Sequence, residues 1–89
     1  MNQVIGMSNE VAVSMKIFLE DQGKMEETLA ELGKIVKVTN HKTEDIGFGI
    51  KALKIIFLMP DGGGVDEIEE KIAAVPNVSQ AQVEEVSRL

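Results

Sequence analysis

The chain contains no cysteine, which excludes disulfides, zinc–thiolate sites and thiol catalysis. It has no tryptophan or tyrosine, and its three phenylalanines, Phe18, Phe48 and Phe57, are the only aromatics. A core built from these residues is aliphatic and depends on regular elements and close packing. Basic residues are scarce, with nine Lys and Arg against fifteen Asp and Glu. The resulting net charge of −6 weighs against a nucleic-acid backbone or an anionic membrane as the main partner. It suits a basic protein partner, and it also serves plain solubility. No apolar run approaches the roughly 20 residues of a membrane span. The start, Met1-Asn2-Gln3-Val4-Ile5-Gly6, lacks the basic region and long apolar stretch of a signal peptide, so a cytoplasmic location is expected. Eighty-nine residues suffice for one domain.

What is present divides into six elements after a polar, small-residue stretch, residues 1–9, expected to be a flexible terminus. Val11, Val13, Met15, Ile17 and Leu19 alternate strictly, which predicts a strand over Val11–Leu19. Asp21-Gln22-Gly23 breaks it. Met25, Leu29 and Leu32 recur at helical spacing with glutamates between them and Gly33 at the far end. Ile35–Thr43 alternates weakly and reads as a shorter, exposed strand at a sheet edge. Ile50–Met59 is densely apolar, as a central strand covered by helices on one side would be. Pro60-Asp61-Gly62-Gly63-Gly64 is turn chemistry. Val65, Ile68, Ile72 and Val75 then predict a second amphipathic helix, with Asp66 and Glu67 favourable in its first turn. Pro76-Asn77 closes that helix, and Val78–Leu89 reads as a last strand.

The order β-α-β-β-α-β specifies the ferredoxin-like α+β fold, a four-stranded antiparallel sheet with two helices on one face. Residues 10–89 are expected to form that single domain, with Val11–Leu19 and Ile50–Met59 at its centre.

The fold hosts many functions, so function must come from sites. His41 is the single histidine and lies in a polar edge segment beside Lys42 and Thr43. No serine stands near it with a base and an orienting acid, so nucleophilic catalysis has no carrier, and the chain does not read as an enzyme. Glu67, Glu69 and Glu70 spread around an exposed helical face, which suits a solvated surface better than a metal site. Asp61-Gly62-Gly63-Gly64 precedes a helix but lacks the lysine and hydroxyl of a phosphate loop, and its aspartate repels phosphate. Strand faces offer Lys16, Lys51 and Lys54 without the aromatic pair that RNA recognition on this fold uses. No metal or cofactor is therefore expected.

Two features resist a purely structural account. Phe48 stands between Gly47 and Gly49, on backbone free to adopt unusual φ/ψ and to let another surface approach. The alternative is an aromatic that plugs the end of the sheet. The other feature is the ending Glu84-Glu85-Val86-Ser87-Arg88-Leu89, in which the only arginine is penultimate beside an apolar terminal residue. The alternative there is a frayed tail with an incidental charge.

These residues carry a resemblance. Asp45-Ile46-Gly47-Phe48-Gly49-Ile50-Lys51-Ala52-Leu53-Lys54 resembles a signature of the elongation factor 1-beta family, a Gly-aromatic-Gly-Ile followed by basic residues and leucine. Val78–Leu89 resembles that family's C-terminal strand, and the short chain looks like the archaeal form. The resemblance implies guanine nucleotide exchange on GDP-bound elongation factor 1-alpha in translation elongation, with no direct nucleic-acid or membrane partner. It implies partner-binding roles for Gly47, Phe48, Gly49, Lys51, Arg88 and Leu89. The family's penultimate lysine falls on Arg88, which keeps the charge as a broad planar fork. A small-molecule-sensing or structural interaction module on the same fold is the other reading.

Overall fold

The computed structural model describes residues 10–88. Elements follow the order β1 (Glu10–Leu19), α1 (Met25–Leu32), β2 (Lys37–Gly47), β3 (Ile50–Pro60), α2 (Val65–Ala73) and β4 (Val78–Arg88). A 3-10 turn, Gln22–Lys24, leads into α1. The strands form one antiparallel sheet in the order β2-β3-β1-β4. This is the ferredoxin-like arrangement, with the two most apolar strands in the middle and β2 on an edge, as the sequence indicates. The flexible terminus expected over residues 1–9, like Leu89, lies outside the described residues.

One face of the sheet makes the core. Val11, Val13, Met15, Ile17 and Leu19 alternate inward on β1, and Leu53, Ile55, Phe57 and Met59 do so on β3. The antiparallel register sets Val13 opposite Phe57 and Met15 opposite Ile55. Leu32 from α1, Ile72 from α2, and Val75 just beyond α2 pack onto this face. Phe57, Met15, Ile17, Leu53, Ile55 and Val13 are completely buried. The opposite face of β1 and β3 carries Ala12, Ser14, Lys16, Phe18, Ala52, Lys54, Ile56 and Leu58, and no helix covers it.

The structure corrects two local readings. β2 is as long as β3 and runs to Gly47, because its polar residues belong to an edge strand and carry no apolar alternation. Lys51 does not share a face with Lys16 and Lys54. By alternation it falls on the core side of β3 with Leu53 and Ile55, past the cover of the helices, and it is exposed.

A tie between two loops completes the fold. Asn77 adopts φ 78° in the turn after α2. Its side-chain oxygen accepts from the Asp21 N–H at 2.7 Å. Its amide donates to the Asp21 carbonyl at 2.9 Å and to Thr28 Oγ1 at 3.0 Å. Thr28 is the one buried polar residue among those described, and its hydroxyl donates to the Lys24 carbonyl. Asn77 thus supplies partners across the gap between the β1–α1 and α2–β4 connections, while the Thr28 hydroxyl proton is satisfied locally.

Phe57 is the largest fully buried side chain and lies in the central strand pair. Phe57→Ala is expected to destabilise the domain by about 3–5 kcal/mol. Chemical denaturation of both proteins, read as a fall in midpoint with the slope unchanged, checks this.

Candidate functional site: the β2–β3 tip and the end of β4

β2 and β3 form a hairpin whose last pair is Gly47 with Ile50. The loop is therefore Phe48-Gly49, with φ of 57° and 74°. Two positive values in a two-residue loop are those of a type I′ turn, whose twist matches its flanking strands. Phe48 occupies the first central position, where a bulky L-residue is uncommon. Its side chain is fully exposed. An aromatic in left-handed backbone that buries nothing gains no packing energy for that strain, and strain of this kind clusters where a surface meets a partner. The reading of Phe48 as a plug at the sheet end does not hold.

The turn is held from below. Gly47 sits at φ 103°, open only to glycine, and its N–H donates to Asp45 Oδ1 at 3.0 Å. Between the Asp45–Lys51 and Gly47–Ile50 pairs the register shifts, which leaves Ile46 as an extra residue. Ile46 and Ile50 are 40% and 47% exposed, so three large apolar side chains project at the tip. Sequence reasoning missed these two isoleucines, because a bulge displaced one and strand propensity claimed the other.

Arg88 stands elsewhere. It pairs with Val11 on β1, and Val11 also pairs with Met59 near the end of β3. Phe48 precedes the start of β3, so the length of that strand, about 30 Å at some 3.3 Å per residue, separates the two. Gly47, Phe48, Gly49 and Lys51 come together at one end, and Arg88 lies at the other. The Arg88 side chain is 80% exposed, and its Nε is 3.3 Å from Asp61 Oδ2 in the turn after β3. An exposed pair of this geometry is weak and readily exchanged for another anion. Asp61 was legible only as a turn residue.

Comparison with known proteins shows the family. The model of the EF-1 guanine nucleotide exchange domain matches residues 11–89. This chain belongs to that family. It is 39% identical over 85 residues to an elongation factor 1-beta from Methanococcoides burtonii, covering 89% of this chain and 96% of that protein. The elongation factor 1-beta of Metallosphaera sedula is 36% identical over 87 residues, covering 90% of this chain and 96% of the relative. That of Thermofilum pendens is 34% identical with the same coverages. The family's function is guanine nucleotide exchange in translation elongation, and the exchange domain spans nearly all of the chain.

Other regions offer less chemistry. A depression of about 630 Å³ is lined by Glu20, Asp21, Glu27 and Glu31 against the single cation Lys24, together with Thr28 and Asn77. Those two polar side chains already satisfy each other, and the carboxylates repel anionic ligands. Among the described residues no group of His, Asp and Glu has metal-binding geometry, and no helix is long and apolar enough to cross a membrane.

The uncovered sheet face is occupied by its own charges. Lys16 lies 3.1 Å from Glu44 and 3.5 Å from Glu84, and Lys54 lies 3.1 Å from Glu84. The Glu44 oxygen facing Lys16 is buried with no well-aligned hydrogen bond, so the ammonium is its compensation. Glu84 is the extra residue of a β4 bulge, since Ser14 pairs with Glu85 and Met15 with Val83. The Lys54 contact, then the two nearby ammonium charges, hold the Glu84 carboxyl below the ordinary 4.5. Contact with Glu44 raises Lys16 above 10.5.

These shifts fix a pH dependence. A lowered carboxyl contributes stability above its unfolded value and loses it as pH falls through the folded one. Glu84→Gln is therefore expected to flatten the decline of Tm below about pH 4.5, where wild type loses the Lys54 and Lys16 contacts. Melting curves of both proteins from neutral to acid pH test it. Parallel curves would leave Glu84 without that part.

Proposed function

We propose that this chain promotes GDP release and GTP loading on elongation factor 1-alpha, with the β2–β3 tip as its docking element and Arg88 as the group that disturbs the nucleotide site. The observation that carries the reading is the fully exposed Phe48 on a left-handed turn, in a chain of the exchange-domain family. Phe48, flanked by the exposed Ile46 and Ile50, presents an apolar anchor of the kind that fills a partner pocket. Lys51, exposed just behind the tip, adds a charge at the rim. The protein makes and breaks no covalent bond. It works by binding the GTPase in a state from which GDP leaves.

GDP is held on GTPases largely through its phosphates and Mg²⁺. A cation brought to that region competes with Mg²⁺ or draws the phosphates out of register. Arg88 suits this part because its partner in the free protein, Asp61, holds it through Nε by a weak exposed pair. The separation of about 30 Å between tip and Arg88 assigns them to different regions of the GTPase surface. Docking and disturbance are then separable. Leu89, next to Arg88 in sequence, belongs to the same proposed partner-binding segment.

Phe48→Ala is expected to weaken binding by about 2 kcal/mol, roughly thirtyfold, with thermal stability unchanged. Titration of an archaeal elongation factor 1-alpha with each protein decides it, and normal binding by the variant would remove Phe48 from the interface.

Arg88→Ala is expected to bind within about tenfold of wild type while its maximal rate of GDP release falls, because interactions made only in the exchange transition state appear in the rate. Arg88→Lys is expected to stay active, since it keeps the charge. Release of labelled GDP at saturating exchange factor reads all three. Equal maximal rates for wild type and Arg88→Ala would make Arg88 an ordinary tail charge.

A further inference from the structure

The ribbon that carries Phe48 overhangs the sheet. Pairing of β1 with β3 ends at Ile17–Leu53. Ile50, Lys51 and Ala52, with the tip beyond them, are thus paired in the ladder only with β2. In an antiparallel ladder, backbone groups point alternately to the two neighbours, so an overhanging strand leaves some unpaired. A two-stranded ribbon with one free edge is also marginal by itself.

One of those groups is not free. The Lys51 N–H donates to Gln22 Oε1 at 3.1 Å, across 29 residues of sequence. Gln22 opens the 3-10 turn that follows β1. Continued in that register, β1 would set Leu19 opposite Lys51, but Leu19 pairs only with Val78 of β4, and the Gln22 side-chain carbonyl takes the Lys51 N–H in its place. The turn that carries it is itself fixed. Asp21 Oδ1 accepts from the Gly23 N–H at 2.9 Å, and Asn77 binds both backbone groups of Asp21. A chain of short contacts therefore runs from the α2–β4 connection through Asp21 and Gln22 to the backbone just behind the hairpin tip.

We propose that Gln22 is a positioning residue for nucleotide exchange, one whose side-chain carbonyl fixes the overhanging hairpin and so the direction in which Phe48 is presented to the GTPase. The inference rests on the reading of Phe48 as the docking residue. Gln22 touches neither nucleotide nor the reacting phosphates. Its loss frees the ribbon to swing, so part of the population presents Phe48 wrongly and apparent affinity falls with the fraction that remains competent.

The test is a titration of GDP release from an archaeal elongation factor 1-alpha by the full chain, as wild type, Gln22→Ala, Gln22→Glu and Phe48→Ala. Gln22→Ala is expected to raise the half-saturating concentration about three- to tenfold, the range of one hydrogen bond, with the maximal rate within about twofold. Gln22→Glu keeps an acceptor oxygen at the same reach and is expected to restore affinity. Amide exchange at Lys51 reads the contact directly and is expected to speed up in Gln22→Ala alone of the two Gln22 variants. An unchanged half-saturation for Gln22→Ala beside a raised one for Phe48→Ala overturns the positioning role only. No change in either variant overturns the Phe48 reading together with it. Unaltered Lys51 exchange in Gln22→Ala, or failure of Gln22→Glu to restore affinity, shows that the carbonyl is not the support.

Discussion

The register between β1 and β3 governs the rest of this molecule. It sets Val13 against Phe57 and Met15 against Ile55, and so decides which residues of both central strands face the helices. A slip of β3 by one residue would turn Lys54 inward and expose Phe57, which burial energy forbids. The same register determines where β1 stops beside β3. From that follow the overhang of the hairpin and the free edge that Gln22 closes. Because Val11 pairs with both Met59 and Arg88, it also determines which end of the sheet receives the arginine.

In the proposed function, the working groups are distributed along strands and not gathered in a cleft. The tip concentrates apolar side chains on a turn that only glycine neighbours permit, and the far end carries one loosely held cation. Between them the uncovered sheet face is neutralised by ion pairs among Lys16, Lys54, Glu44 and Glu84. An exchange factor needs no cavity for a substrate. The proposed division of labour uses a spacer with different chemistry at its two ends, and an antiparallel sheet backed by helices supplies one.

Much of this was legible in the sequence. Strict alternation in Val11–Leu19 and the apolar density of Ile50–Met59 identified the central strands, because burial of a sheet face leaves a period of two. Gly-Phe-Gly announced an unusual turn for the same reason that the turn exists, since only glycine sits at φ 103° without strain. What stayed hidden depended on pairing. An edge strand such as β2 shows no hydrophobic period, so its reach to Gly47 was invisible. The bulges at Ile46 and Glu84 change which side a residue takes without altering composition. Gln22, Asp61 and Asn77 looked like ordinary turn residues, and their parts arise from backbone groups distant in sequence.

The pairing of β1 with β4 has a consequence for molecules that are not fully assembled. Val11 and Arg88 meet across nearly the whole chain, whereas the β2–β3 hairpin closes through a two-residue loop. Local contacts form early and long loop closures late, and a peripheral strand with one open edge is among the first parts to detach. β4 is such a strand, with most of its residues exposed. A molecule that has lost β4 still displays Phe48 but no longer holds Arg88 in place. If Phe48 docks and Arg88 expels GDP as proposed, such a molecule would occupy the GTPase without emptying it and would compete with its own intact form.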